Sequence, residues 1–268
     1  MSRWLPWLAL VLAACAGESA QDLLDRSAAR PTAPRLQARF RATMTGPHPT
    51  LSGAVQGGVL IERPVGARLD LQGFGGATVA SSVLAHDGLS VSLPARRQHL
   101  VSPWAAKALG AASGGDLKTD DLLALWVGRL PLEGRALLAS HSGPEGVAVV
   151  LSGPSGTQLR AELSRDCACP SAAEVVDAQG RPLVSIRYES WTEAHGLPLP
   201  DELWVRAPIG GTELRVSVTA WERADRALQP NLAAPDGFEQ QPLQPALDRL
   251  ARRATRELRR TRSRTAPR

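Results

Sequence analysis

A chain of 268 residues carries a formal charge of +5, but nine Arg and one Glu between Arg249 and Arg268 supply +8 of it and leave the rest at −3. The basic character is therefore a C-terminal tail on a mildly acidic body, and that body is long enough for one sizeable domain or two small ones. Nothing after the first fifteen residues approaches the run of about 20 apolar residues that a bilayer core requires, so no further membrane pass is expected.

Arg3 gives a positive start, Trp4 to Leu12 form an apolar run interrupted only by Pro6, and Leu12-Ala13-Ala14-Cys15 closes it with small residues before a cysteine. Charge, short apolar run and small residues in that order form a secretory signal, too short for a spanning helix. The last four residues resemble the lipobox of bacterial lipoproteins, which implies cleavage between Ala14 and Cys15 and acylation of Cys15. With more than one acyl chain, each buried methylene contributing roughly 0.8 kcal/mol, such an anchor holds the protein on a membrane. Ala16 rather than Asp follows the cysteine, which in well-studied Gram-negative systems implies release to the outer membrane, here with a periplasm-facing body. The expected organisation is a signal peptide at 1–14, a lipidated N-terminus and linker at 15–35, one domain at 36–240 and a basic tail at 241–268.

Gln21 to Arg30 is weakly helical, and Pro31 and Pro34 stop it. From Leu36 the dominant signal has period two. Ala38, Phe40 and Ala42 alternate with arginines, Ala67, Leu69 and Leu71 with Arg68 and Asp70, and Leu159, Ala161 and Leu163 with Arg160 and Glu162. The clearest run sets Leu214, Val216, Val218 and Ala220 against Glu213, Arg215, Ser217 and Thr219. Strands of this kind bury one face and wet the other, as antiparallel sheets do. Gly73 to Gly76, Asp87-Gly88 and Gly210-Gly211 punctuate them at hairpin spacing. Two helices, Trp104 to Ala112 and Thr119 to Val127 with Gly128 ending the second, are expected to cover the apolar face of this meander. The fold class is thus mainly β (α+β): a single antiparallel unclosed half-barrel with a helical lid.

The order of elements from about Leu36 to Phe238 resembles the bacterial lipoprotein-sorting carriers and receptors, the LolA and LolB superfamily. The resemblance rests on the strand pair around Ser52 to Leu71 with its glycine-rich turn, Asp87-Gly88, and the helix end Leu125-Trp126-Val127-Gly128-Arg129-Leu130-Pro131. It continues through Ile186 to Trp191, Leu199-Pro200 and the last strand ending in Trp221. It implies a half-barrel over an apolar cavity that takes acyl chains or lipidated proteins. It makes Leu69, Leu71, Leu214, Val216 and Val218, with Trp104, Leu122 and Trp126 from the helices, the candidate cavity and lid. Phe74 in Gly73-Phe74-Gly75-Gly76 matches the apolar loop residue with which the receptor acts on the bilayer; the alternative is an ordinary core phenylalanine. The longer body, the Cys167-x-Cys169 pair and the Arg-rich tail depart from the receptor pattern.

Little points to catalysis. His48, His86, His99, His141 and His195 are scattered without metal spacing, and no nucleophile elbow, zinc-protease motif or phosphate loop occurs. Neither enzyme activity nor a metal or other cofactor is expected. Cys167 and Cys169 are assigned a local structural role in a turn before Pro170, with a strained disulfide or a mixed disulfide left open. Among the tryptophans, Trp204 and Trp221 fall opposite the apolar faces of their strands. In the tail, Leu247, Leu250, Ala254 and Leu258 make a thin apolar stripe on a segment crowded with Arg252, Arg253, Arg256, Arg259 and Arg260. Export excludes nucleic acid as a partner, which leaves anionic envelope components or a solvated tail. The expected function is lipid or lipoprotein binding at the outer membrane. The alternative is a non-enzymatic scaffolding lipoprotein that acts through its tail.

Overall fold

A computed structural model describes residues 18–46, 53–102, 118–153, 156–207 and 212–243. Among the described residues, fourteen strands form one unclosed sheet. The first six, β1 (Arg35–Thr45), β2 (Gly53–Glu62), β3 (Gly66–Gln72), β4 (Thr78–Ala85), β5 (Gly88–Leu93) and β6 (Gln98–Ser102), run as an antiparallel meander. A second meander comprises β7 (Leu137–Ser142), β8 (Gly146–Ser152), β9 (Gln158–Ser164), β10 (Pro170–Val176), β11 (Pro182–Ala194), β12 (Leu197–Ala207) and β13 (Thr212–Arg223). The two join where β1 pairs antiparallel with β13. A final short strand, β14 (Glu239–Pro242), lies parallel to β6 at one edge, and β7 forms the other. This is the expected half-barrel, with period two in the sequence converted into an apolar inner face and a charged outer face.

Among the described residues, two helices lie against the inner face. Helix α1 (Ala20–Ala29) starts at Ser19, whose hydroxyl accepts the Asp22 N–H at 3.1 Å while the Asp22 carboxylate accepts the Ser19 N–H at 3.2 Å, a reciprocal cap for two otherwise unpaired donors. It ends at Arg30, which is extended ahead of Pro31. Helix α2 (Thr119–Trp126) is opened by the Asp121 carboxylate accepting the Lys118 N–H at 2.9 Å. It closes on Gly128, at φ +71°, with Gly128 N–H on the Leu125 carbonyl and Arg129 N–H on the Ala124 carbonyl, the paired bonds of a Schellman end. A side chain at Gly128 would also meet the Trp191 ring at 2.2 Å. Leu23 and Leu24 of α1 and Leu123 and Leu125 of α2 are buried in one apolar cluster with the inward residues of β1, β2 and β8 to β13.

One expectation is corrected. Trp221 faces inward: only 6% of it is exposed and its indole N–H donates to the Pro200 carbonyl at 2.9 Å. The β1/β13 register shifts between Arg39 and Phe40, which pair with Ala220 and Val218, so Thr219 is an extra residue. A β-bulge of one residue inverts the alternation beyond it and moves Trp221 onto the face that Val218 occupies. The β11/β12 register also shifts, around Ser190 and Glu202, but from Leu203 to Ala207 β12 pairs with β13 without a break, and Trp204 lies on the outer face, as its parity predicts.

Candidate apolar site on the inner face

The register aligns inward side chains in rows across the sheet. One row runs Met44, Leu214, Val205, Ile186, Ala173, Ala161 and Val149 from β1 to β8. Burial changes along it. Val149, Ala161, Ala173 and Ile186 are at most 5% exposed, whereas Val205, Leu214 and Met44 are only partly buried. On the other side of β1 the same change holds: Leu69 and Leu71 of β3 and Leu89, Val91 and Leu93 of β5 are partly buried, against 0% exposure of Leu159 in β9. The inner face thus has a half filled by α1 and α2 and a half whose apolar side chains keep free surface.

The strand and α2 residues predicted for a cavity fall on this inner face. Leu69, Leu71, Leu214 and Val218 are partly buried and pack against the central cluster, and so do Leu122 and Trp126 from α2. Val216 is 3% exposed and belongs to the core itself. The Trp126 indole N–H is buried with no hydrogen-bond partner, which places one unsatisfied donor where α2 meets the open half. Phe40 packs on the same surface because β2 carries Gly57 opposite it: a Cβ there would lie 3.2 Å from the Phe40 ring and 2.3 Å from the Asp70 carbonyl. Trp104, Cys15 and the tail arginines lie outside the described residues. Of Phe74, the backbone forms a 3-10 turn, Phe74–Gly76, between β3 and β4, and its side chain lies outside the description.

Helix α2 is held at both ends. At its start, Asp120 accepts two hydrogen bonds from Arg63 at 2.7 Å. At its end sit two arginines that no sequence pattern singles out. Arg30, 9% exposed, donates to the Gly128 carbonyl at 3.0 Å and the Pro198 carbonyl at 2.9 Å, with its guanidinium 5.0 Å from the Trp191 ring. Arg129 donates back to the carbonyls of Arg30 and Ala28 at 2.7 and 2.8 Å. Burial, and then the neighbouring Arg129 charge, draws the Arg30 pKa down to about 10, so it stays a cation at neutral pH. Carbonyl oxygens and an aromatic face take the place of a counter-ion. A run of Arg30-Pro31 after a helix carries no signal for this in sequence, since the partners are remote carbonyls and a remote aromatic ring.

Cys167 and Cys169 are joined to each other, with Cα atoms 5.1 Å apart, in the turn between β9 and β10 just before Pro170. The pair thus lies in the turn before Pro170 where the sequence places it. Ala168 between them has φ +51°. Arg26 of α1 donates to the carbonyls of Arg165 and Asp166 at 3.2 and 3.1 Å, which ties this turn to the helix. Among the described residues no cluster of His, Cys, Asp or Glu could hold a metal ion.

No sequence family model and no curated protein matches the chain. Solved structures do. A LolA superfamily protein from Nitrosomonas europaea superposes with a TM-score of 0.53 at 16% identity, over 79% of this chain and 96% of that one. The chain has the fold of the LolA superfamily. A putative outer membrane lipoprotein-sorting protein domain from Vibrio parahaemolyticus (TM-score 0.53, 12% identity, 78% of this chain and 93% of that one) has this fold too. So does a DUF1329 family protein from Desulfovibrio piger (TM-score 0.54, 12% identity, 78% and 92%). The LolA fold was the one expected from the order of strands, helix end and Leu-Pro reversal. At these identities the likeness is one of architecture.

Proposed function

We propose that this chain is a lipid-binding envelope lipoprotein. Its lipidated Cys15 holds it on the outer membrane, and the open half of its inner face takes acyl chains, either of free lipids or of other lipoproteins in transit. The observation that carries the reading is the change in burial along single rows of the sheet. Apolar side chains that are sealed in the α1/α2 half keep accessible surface around Leu69, Leu71, Leu214 and Val218. An acyl chain is the ligand such a surface suits, because it gains roughly 0.8 kcal/mol for each methylene removed from water and needs no polar partner. The LolA fold, shared with a lipoprotein-sorting domain, supports the same class, and the signal followed by Leu12-Ala13-Ala14-Cys15 supports the anchor. Neither the spacing of the histidines nor any nucleophile motif supports an enzyme reading.

The test is native mass spectrometry of the soluble body from Ala16 onward, with and without added palmitate. The expected result is a bound fatty acid or phospholipid that is lost in Leu71→Asp, a change on the partly open face. A chain that takes up no acyl ligand, or a Leu71→Asp variant that takes it up as well as the parent, overturns the reading. Incorporation of labelled palmitate into the full precursor, abolished by Cys15→Ser, tests the anchor separately.

A further inference from the structure

The outer face of the same sheet carries a second concavity, remote in chemistry from the first. It is a groove of about 1110 Å³ across β2, β1, β13, β12 and β11, on the scale of ligand sites. Its floor is one register row: Arg187 pairs with Trp204, Trp204 with Arg215, and Arg215 with Thr43. Arg41 borders it from the next row. The indole of Trp204 thus sits between two arginines, with the Arg187 guanidinium 5.7 Å from its ring centroid, and its N–H is buried without a partner.

What separates this groove from the rest of the outer face is that its arginines are unpaired. Elsewhere the strand arginines take carboxylates across or along the sheet: Arg35 with Glu62, Arg39 with Glu222, Arg68 with Asp70, Arg160 with Glu174 and Arg206 with Glu213. Among the described residues Arg41, Arg187 and Arg215 form no ion pair, although Glu189 and Glu202 line the same groove. Two cations flanking an aromatic ring, a third one row away on β1, and the amides of Gln56 and Gln72 positioned to meet hydroxyl groups match one ligand chemistry. Guanidinium forks bind carboxylate or phosphate, and an indole face takes the apolar side of a sugar ring.

We propose that this outer groove binds an anionic glycan, with a sugar ring against Trp204 and its acidic groups on Arg187, Arg215 and Arg41. The site is independent of whatever occupies the inner face. The test is isothermal titration of the full chain, its Arg-rich tail retained in every variant so that its contribution is common to all. The probes are tetragalacturonate, a mannose 6-phosphate tetramer, neutral maltotetraose and tripolyphosphate. The expected result is binding of a carboxylated or phosphorylated tetrasaccharide, the two probes telling which anion is preferred, and none of maltotetraose. Arg187→Gln with Arg215→Gln weakens it by about tenfold or more, as losing charged hydrogen bonds does. Glu202→Gln strengthens it, a gain that a purely structural role for this face would not give. The proposal is overturned if neither acidic tetrasaccharide binds, if the double variant binds like the parent, or if tripolyphosphate binds the groove as tightly as the sugars do.

Discussion

The phenol of Tyr188 on β11 donates to the Leu125 carbonyl of α2 at 2.6 Å, inside the core. Burial pushes the ionisation of Tyr188 well above the usual phenol range, so it stays a donor at any working pH. Leu125 also accepts from the Gly128 N–H at 3.0 Å, so Tyr188→Phe leaves that carbonyl partnered. The expected loss is about 1 kcal/mol in denaturant unfolding, the net value of one hydrogen bond. A loss of about 3 kcal/mol or more would mean that α2 depends on this single bond.

Gly128 and Gly134 share a left-handed backbone, at φ +71° and +69°, but differ in space: a Cβ at Gly134 meets nothing within 4 Å, and one at Gly128 meets the Trp191 ring at 2.2 Å. Both alanine variants carry a conformational penalty of roughly 1 kcal/mol, and only Gly128→Ala adds overpacking of about 1–3 kcal/mol. Thermal unfolding of the two side by side checks this. Equal losses would mean that Trp191 moves aside freely.

Leu159 and Leu69 are both inward leucines on the same sheet face. Leu159→Ala opens a void in the packed half and should cost about 2–5 kcal/mol, while Leu69→Ala, on the open half, should cost about 1 kcal/mol or less. Chemical denaturation of both variants without ligand distinguishes the two halves of the inner face. Comparable costs would show that the β3 region is as closely packed as β9.

Asp177 closes the turn between β10 and β11, where its carboxylate accepts from the backbone N–H groups of Gln179 and Arg181 at 2.9 and 2.8 Å and from Arg181 Nε at 2.7 Å. These bonds, that from the Arg181 backbone first, hold its pKa below the ordinary 3.8. A carboxyl with a lowered folded pKa adds stability that is present above its unfolded value and is lost as pH falls through the folded one. Asp177→Asn should therefore unfold at a lower temperature than the parent at neutral pH, with the gap narrowing below about pH 4. A gap that stays constant down to about pH 2 would show that the carboxylate charge contributes nothing.

The fold is legible because its strands are half-wet. Runs such as Leu159-Arg160-Ala161-Glu162-Leu163 state both their conformation and their inner face, and Gly128 marks the end of α2 by its lack of a side chain. The partition of the inner face into a sealed and an open half is not legible. Leu69 and Leu159 look alike in sequence, and only the position of α1 and α2 separates them. Parity misplaces Trp221 because a bulge leaves no mark in composition: Thr219 is an ordinary strand residue, and its status as the extra one is decided by the partner strand. The outer groove is hidden for a similar reason, since Arg187, Trp204 and Arg215 are distant in sequence and become neighbours only through the register of three strands.

The pairing of β1 with β13 sets Leu36 beside Arg223, so the middle of this sheet is also its most distant contact along the chain. Each meander is built from hairpins that close short loops, whereas this central seam must bring together the first and last long strands, at a much larger entropic cost. Loop-closure entropy therefore favours assembly as two wings that meet late, at a central keel. Until β13 arrives, β1 presents an unpaired edge on which the β13 of another copy fits equally well. Exchange of that strand between chains is the misassembly to which this architecture is most open.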